Sequence, residues 1–222
     1  MTSRLAHGWT LACEPPVPQS LAREYIRPAV RAVPSLMARR IGPCRIALAA
    51  GEGSDIASRW TARAGALEVW VATADVEPHD AAMELLTCLG QALWEKLTEE
   101  ELRLYWALLN EEIGLGIDAE IDEESLERKR SLLKSLTCAR SMRRLMEYGR
   151  ASFAATAAEY VHCLWHDVTV RSGPGCLPVP QLRRRLELLA RWFPPDRGYR
   201  LFAPARRYRM KRTSAAARNS SR

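Results

Sequence analysis

Ala66-Leu-Glu-Val-Trp-Val-Ala-Thr-Ala74 and, after a short polar connection, Met83-Glu-Leu-Leu-Thr-Cys-Leu-Gly-Gln-Ala-Leu-Trp94 are the stretches whose reading decides the fold. The first is rich in β-formers and follows the turn signal Gly65, which predicts a strand, placed at an edge of its sheet. The second carries Leu86, Leu89, Leu93 and Leu97 at steps of three and four, the apolar stripe of an amphipathic helix over about 79–97.

Upstream, Cys44 to Ala49 and Ile56 to Ala62 read as two more strands, with turn signals at Gly51-Glu-Gly-Ser54 and Gly65. Ser20 caps a helix that runs toward Arg40, with Pro28 at a bend or break, and Gly42-Pro43 ends it. Residues 1–17, with the run Glu14-Pro-Pro-Val-Pro18 at their end, read as an irregular lead-in. Downstream the chain turns helical. Thr98-Glu-Glu-Glu101 is a capping-box pattern that starts a helix through Leu109, before Gly114 and Gly116. A charged helix opens at Asp122 and runs to about Leu136, and others are expected at 139–148, 151–166 and 180–193. Pro194-Pro195 closes the last, and Tyr199 to Phe202 returns as a short strand or docking segment. Strands first and helices after predict an α+β fold, a small twisted β-sheet of about three strands followed by a mostly helical bundle. Residues 18–205 form one domain in this reading.

With 222 residues, 47% of them hydrophobic, the chain can bury a substantial core. No apolar run approaches the roughly 20 residues that cross a bilayer. Met1 to Thr10 lacks a charged stretch followed by an apolar core, so no secretory signal is expected and the location reads as cytoplasmic. Cys13, Cys44, Cys88, Cys138, Cys163 and Cys176 form no Cys-x-x-Cys pair, which points to reduced thiols. The net charge of +7 comes from residues 206–222, where seven basic residues meet no acidic one; without them 26 basic residues balance 26 acidic ones. That tail reads as a solvated, disordered segment, with weak contact to nucleic acid or another polyanion as the alternative. Gly-x-Gly-x-x-Gly, a phosphate loop and Gly-x-Ser-x-Gly are all absent, so nucleotide-binding and hydrolase-elbow readings have no support.

Within the 79–97 helix, Met83-Glu84-Leu85-Leu86-Thr87 would read His-Glu-Leu-Leu-His with imidazoles at 83 and 87. Residues four apart share a helix face and can share one metal, while the Glu after the first His serves as general base. With the preceding strand, the Leu89-Gly90 pair and the later Ala-rich helix from Ala151 to His162, this stretch resembles the gluzincin branch of the zincin-type metallopeptidases over roughly residues 44–166. The resemblance implies a zincin-like fold, Glu84 in the general-base position, Met83 and Thr87 in the two ligand positions, and a third ligand from the later helix. Glu159 is the candidate for that third ligand, with Ser152 or Thr156 as alternatives. A thioether and a hydroxyl are not credible ligands for catalytic zinc. The expectation is therefore a catalytically inactive pseudo-enzyme with a binding or regulatory role, an unknown protein or peptide partner, and no cofactor.

Glu159-Tyr-Val-His162-Cys-Leu-Trp-His166-Asp167 offers a rival constellation. His162 and His166 are spaced i, i+4 with Glu159 one turn earlier, and His79, in the first turn of the degenerate helix, is positioned to approach them. The set His79, Glu159, His162 and His166 supports an alternative, an active metal-dependent hydrolase holding zinc. Thiol catalysis by Cys163 with a His is a further alternative. The bland reading makes both α-helical histidines C-terminal caps. Arg183-Arg-Arg185 reads as a solvated helix face.

Overall fold

A computed structural model describes residues 2–50, 58–134, 141–166 and 175–202. The fold is α+β, built on one mixed sheet of five strands: β1 (Thr2–Arg4), β2 (Thr10–Cys13), β3 (Cys44–Ala49), β4 (Arg59–Arg63) and β5 (Ala66–Ala72), in the order β1-β2-β3-β5-β4. β2, β3 and β5 run parallel, and the outer strands β1 and β4 pair antiparallel with β2 and β5. Two expectations are corrected here. The sheet has five strands rather than three, because residues 2–13, expected to be irregular, supply β1 and β2. Strands of three and four residues are too short to show a period, and β2 is held by long-range pairing of Leu11 with Ile46. Trp9 anchors the segment: it is buried and donates its indole N–H to the Gly42 carbonyl at 3.0 Å. Second, β5 lies inside the sheet between β3 and β4, and β4 is the edge strand on that side.

The sheet buries one face. Cys44, Ile46 and Leu48 of β3 and Leu67, Val69 and Val71 of β5 alternate into the core, while Arg45 and Glu68 pair across the open face at 3.1 Å. Burial pushes the Cys44 thiol, and that of Cys88 facing it, up to about 12, so both are inert apolar fillers. The described cysteines form no disulfide.

Between β2 and β3 the chain forms α1 (Gln19–Leu21), a wide π-turn over Ala22–Ile26, α2 (Arg27–Ala32) and α3 (Ser35–Ile41). Pro28 has no amide hydrogen to give to the preceding turn, and the wide turn stands where that bond would fail. Beyond the sheet come α4 (Pro78–Trp94), α5 (Glu99–Gly114), α6 (Glu123–Leu133), α7 (Ser141–Trp165) and α8 (Val179–Trp192). The capping box of α5 forms as its sequence predicts, with Thr98 Oγ1 accepting from Glu101 N at 3.2 Å and Thr98 N donating to Glu101 Oε2 at 2.7 Å. The helices expected at 139–148 and 151–166 are one, α7. Gly149 does not break it, because this glycine makes room: a Cβ there would fall 2.4 Å from the Trp106 ring. Residues 199–202 form no strand; Tyr199, Leu201 and Phe202 pack on the core, with the Arg183 guanidinium 4.6 Å above the Phe202 ring. The expected basic tail 206–222, Cys138 and the start of the strand expected from Ile56 lie outside the described residues.

Helix α4 is the hub. Ala81, Ala82, Leu85, Leu86, Cys88, Leu89, Ala92 and Leu93 are buried between the sheet and α7. Gly90 permits the closest approach, since a Cβ on it would meet the Ala154 carbonyl oxygen at 2.8 Å. His79 near the start of α4 touches His162 near the end of α7, so the two helices pack antiparallel.

Candidate functional site

Only one stripe of α4 faces outward. Asp80 and Glu84 are exposed on it, and Met83, Thr87 and Gln91 are half-buried. The stripe runs beside the edge strand β4, whose Trp60 donates its indole N–H to Gln91 Oε1 at 3.0 Å. A groove of about 270 Å³ opens there, lined by Gln91, Glu124, Arg128, Glu147, Arg150 and Ala151. The Glu84 carboxyl holds its proton more tightly than an ordinary carboxylate. Partial desolvation is the largest cause, and the negative charges of Glu124, Asp122 and Asp80 add to it, against a hydrogen bond with Ser58 that lowers it.

The donor set at Met83 and Thr87 does not fit zinc, and Glu159 does not complete it. Glu159 is buried on α7, its carboxylate turned to His162 Nδ1 at 3.3 Å and to the Cys163 thiol at 3.8 Å. Ser152 and Thr156 face elsewhere, bonded to the Tyr105 hydroxyl at 3.1 and 2.9 Å.

The rival constellation is brought together. His79 Nε2 lies 3.1 Å from His162 Nε2, and one ring nitrogen from each of His79, His162 and His166 falls within 4.8 Å of the others. Rows of aromatic rings fix them: Trp165 stacks on His79 at 5.9 Å and packs edge-on against Tyr25 at 6.3 Å. His162 is buried, and the other two are half-buried. Burial, then the neighbouring His162 and His79, hold the His166 pKa below the ordinary imidazole value. Its Nε2 is buried with no hydrogen-bond partner among the described residues.

A second polar assembly escaped the sequence reading. Arg185 of α8, expected on a solvated face, is fully buried and donates to both carboxylate oxygens of Glu112, to both of Glu120 and to Ser152 Oγ. Lys129 of α6 joins Glu120 at 3.1 Å, and the Tyr148 hydroxyl donates to the same carboxylate. Two cations and two carboxylates thus close a neutral network among α5, α6, α7 and α8. Its signal was present: Arg185 sits on the stripe that carries the buried Leu182, Leu186 and Leu189. All its charges are paired, so it reads as structural.

No family model, no curated protein and no solved structure matches this chain.

Proposed function

We propose that the chain is a zincin-like protein whose peptidase centre has been lost, and that it acts by binding a protein or peptide partner instead of by hydrolysis. The observation that carries this reading is the surrounding of Glu84. Its carboxyl sits on the open stripe of α4 among Glu124, Asp122 and Asp80, with no imidazole in either ligand position beside it. A general base of a zinc peptidase works next to a cation; here the charges that shift Glu84 most are the carboxylates of Glu124, Asp122 and Asp80. Also in favour are the direct entry of α4 from β5 and the antiparallel edge strand β4 along the open stripe. An edge strand next to a groove suits an extended peptide, which adds to the sheet by main-chain hydrogen bonds.

The test is proteolysis of an unfolded protein substrate and of a mixed peptide library, with zinc supplied. The account expects no cleavage above buffer. Cleavage that Glu84→Gln abolishes overturns it.

A further inference from the structure

We propose that His79, His162 and His166 form a binding site for a divalent transition-metal ion of the zinc, cobalt or nickel class. None of its three ligands is Met83 or Thr87, and it departs from the expectation that the chain holds no metal.

Three features carry the proposal. The first is spacing. Two imidazole nitrogens bound at about 2.0–2.1 Å to one tetrahedral ion lie roughly 3.3 Å apart. The 3.1 Å between His79 Nε2 and His162 Nε2 is close to that edge, and the third imidazole needs only side-chain rotation to join, since all three ligand atoms lie within 4.8 Å.

The second is the outer nitrogens. His162 Nδ1 faces Glu159 Oε2 at 3.3 Å, and His79 Nδ1 faces Asp80 Oδ1 at 3.4 Å. A carboxylate on the outer nitrogen sets the tautomer that leaves Nε2 as a lone-pair donor, and it raises the basicity of that donor. Both rings then turn Nε2 inward, toward each other.

The third is the orphan. His166 Nε2 is buried without a partner among the described residues, a cost that a folded protein removes with water or an ion. Imidazole is a borderline ligand, which selects zinc, cobalt, nickel or copper over magnesium and calcium. With three ligands among the described residues, the site resembles in number an ion that keeps a position for an outside ligand.

The competing account is simple packing, in which His79 and His162 share one hydrogen bond and Trp165 covers them. Metal titration of the untagged, chelator-stripped chain separates the two. The proposal expects one cobalt ion per chain with the visible bands of tetrahedral cobalt, displaced by zinc, and a rise in Tm on zinc addition. It expects His79→Ala and His166→Ala each to lose the bands. Glu159→Gln should weaken zinc by about 10–100-fold while leaving the fold intact. His7→Ala should bind as the unaltered chain does. His79 is half-exposed, so its replacement spares the core, and circular dichroism checks that it does. If the unaltered chain shows neither the bands nor the Tm rise, or if His79→Ala binds as well as the unaltered chain, the site does not exist. Neither outcome bears on peptide cleavage or on Glu84.

Discussion

His79 and His162 meet at 3.1 Å across 83 residues of chain because Gly90 lets α4 lie against Ala154 of α7. The helix–helix seam that places the histidines is thus set eleven residues away, by a position with no side chain. The same seam turns Glu84, Thr87 and Gln91 outward, toward β4. One packing decision therefore positions both the degenerate motif and the imidazole cluster.

Gly90→Ala tests that decision. Its Cβ would meet backbone of Ala154 at 2.8 and 2.9 Å, and helix backbone cannot yield as a side-chain tip can. The expected cost is about 1–3 kcal/mol, read as a lower denaturation midpoint. An unchanged midpoint would mean that the two helices are not held this closely.

Arg185→Met leaves Glu112 and Glu120 buried without their main cation. The expected loss is about 3–5 kcal/mol of stability, because the uncompensated charge costs more than the pair was worth. Replacing Arg185, Glu112 and Glu120 together by apolar residues of similar volume should recover much of it. A triple variant as unstable as the single one would contradict that view of the network.

Acid should unfold the helical half through Glu120. Desolvation alone would raise its pKa, but Arg185, Lys129 and the Tyr148 hydroxyl outweigh it and hold the value below the ordinary carboxylate range. A folded-state pKa below the unfolded value of about 4.3 means stability that is present above that pH. It is lost as pH falls through the folded-state value. Thermal melts from pH 7 downward should stay level to about pH 5 and then drop. The Glu120→Gln variant should drop less steeply.

Thr98→Ala removes the side-chain acceptor for Glu101 N and half of the α5 capping box. Such caps are worth about 1 kcal/mol. Glu101 also holds Arg40 of α3 at 3.0 Å, so Glu101→Ala should cost more than Thr98→Ala in equilibrium unfolding.

Much of the fold was legible in local pattern. The strand over 66–72 announces itself by its β-formers, the helix after it by its leucine period, and the α5 start by its capping box. What stayed hidden was settled by partners far away in sequence. Thr10–Cys13 becomes a strand because Arg45–Leu48 is beside it, and Gly149 stays helical because Trp106 needs the space. For the site, spacing brought His162 and His166 to one face, and only the α4–α7 seam decides that His79 joins them. Glu159 was expected either as a third ligand with Met83 and Thr87 or beside His162 and His166, and its i, i+3 spacing seats its carboxylate on His162.

The most direct measurement installs the missing imidazoles. Met83→His with Thr87→His is made in a His162→Ala background, which removes the other candidate ligand set, and zinc affinity is compared with the His162→Ala parent. A zincin-like scaffold predicts one newly bound zinc per chain, tighter by on the order of 10-fold or more, and a Tm that rises with zinc. A folded double variant whose zinc affinity equals that of its parent would contradict the account.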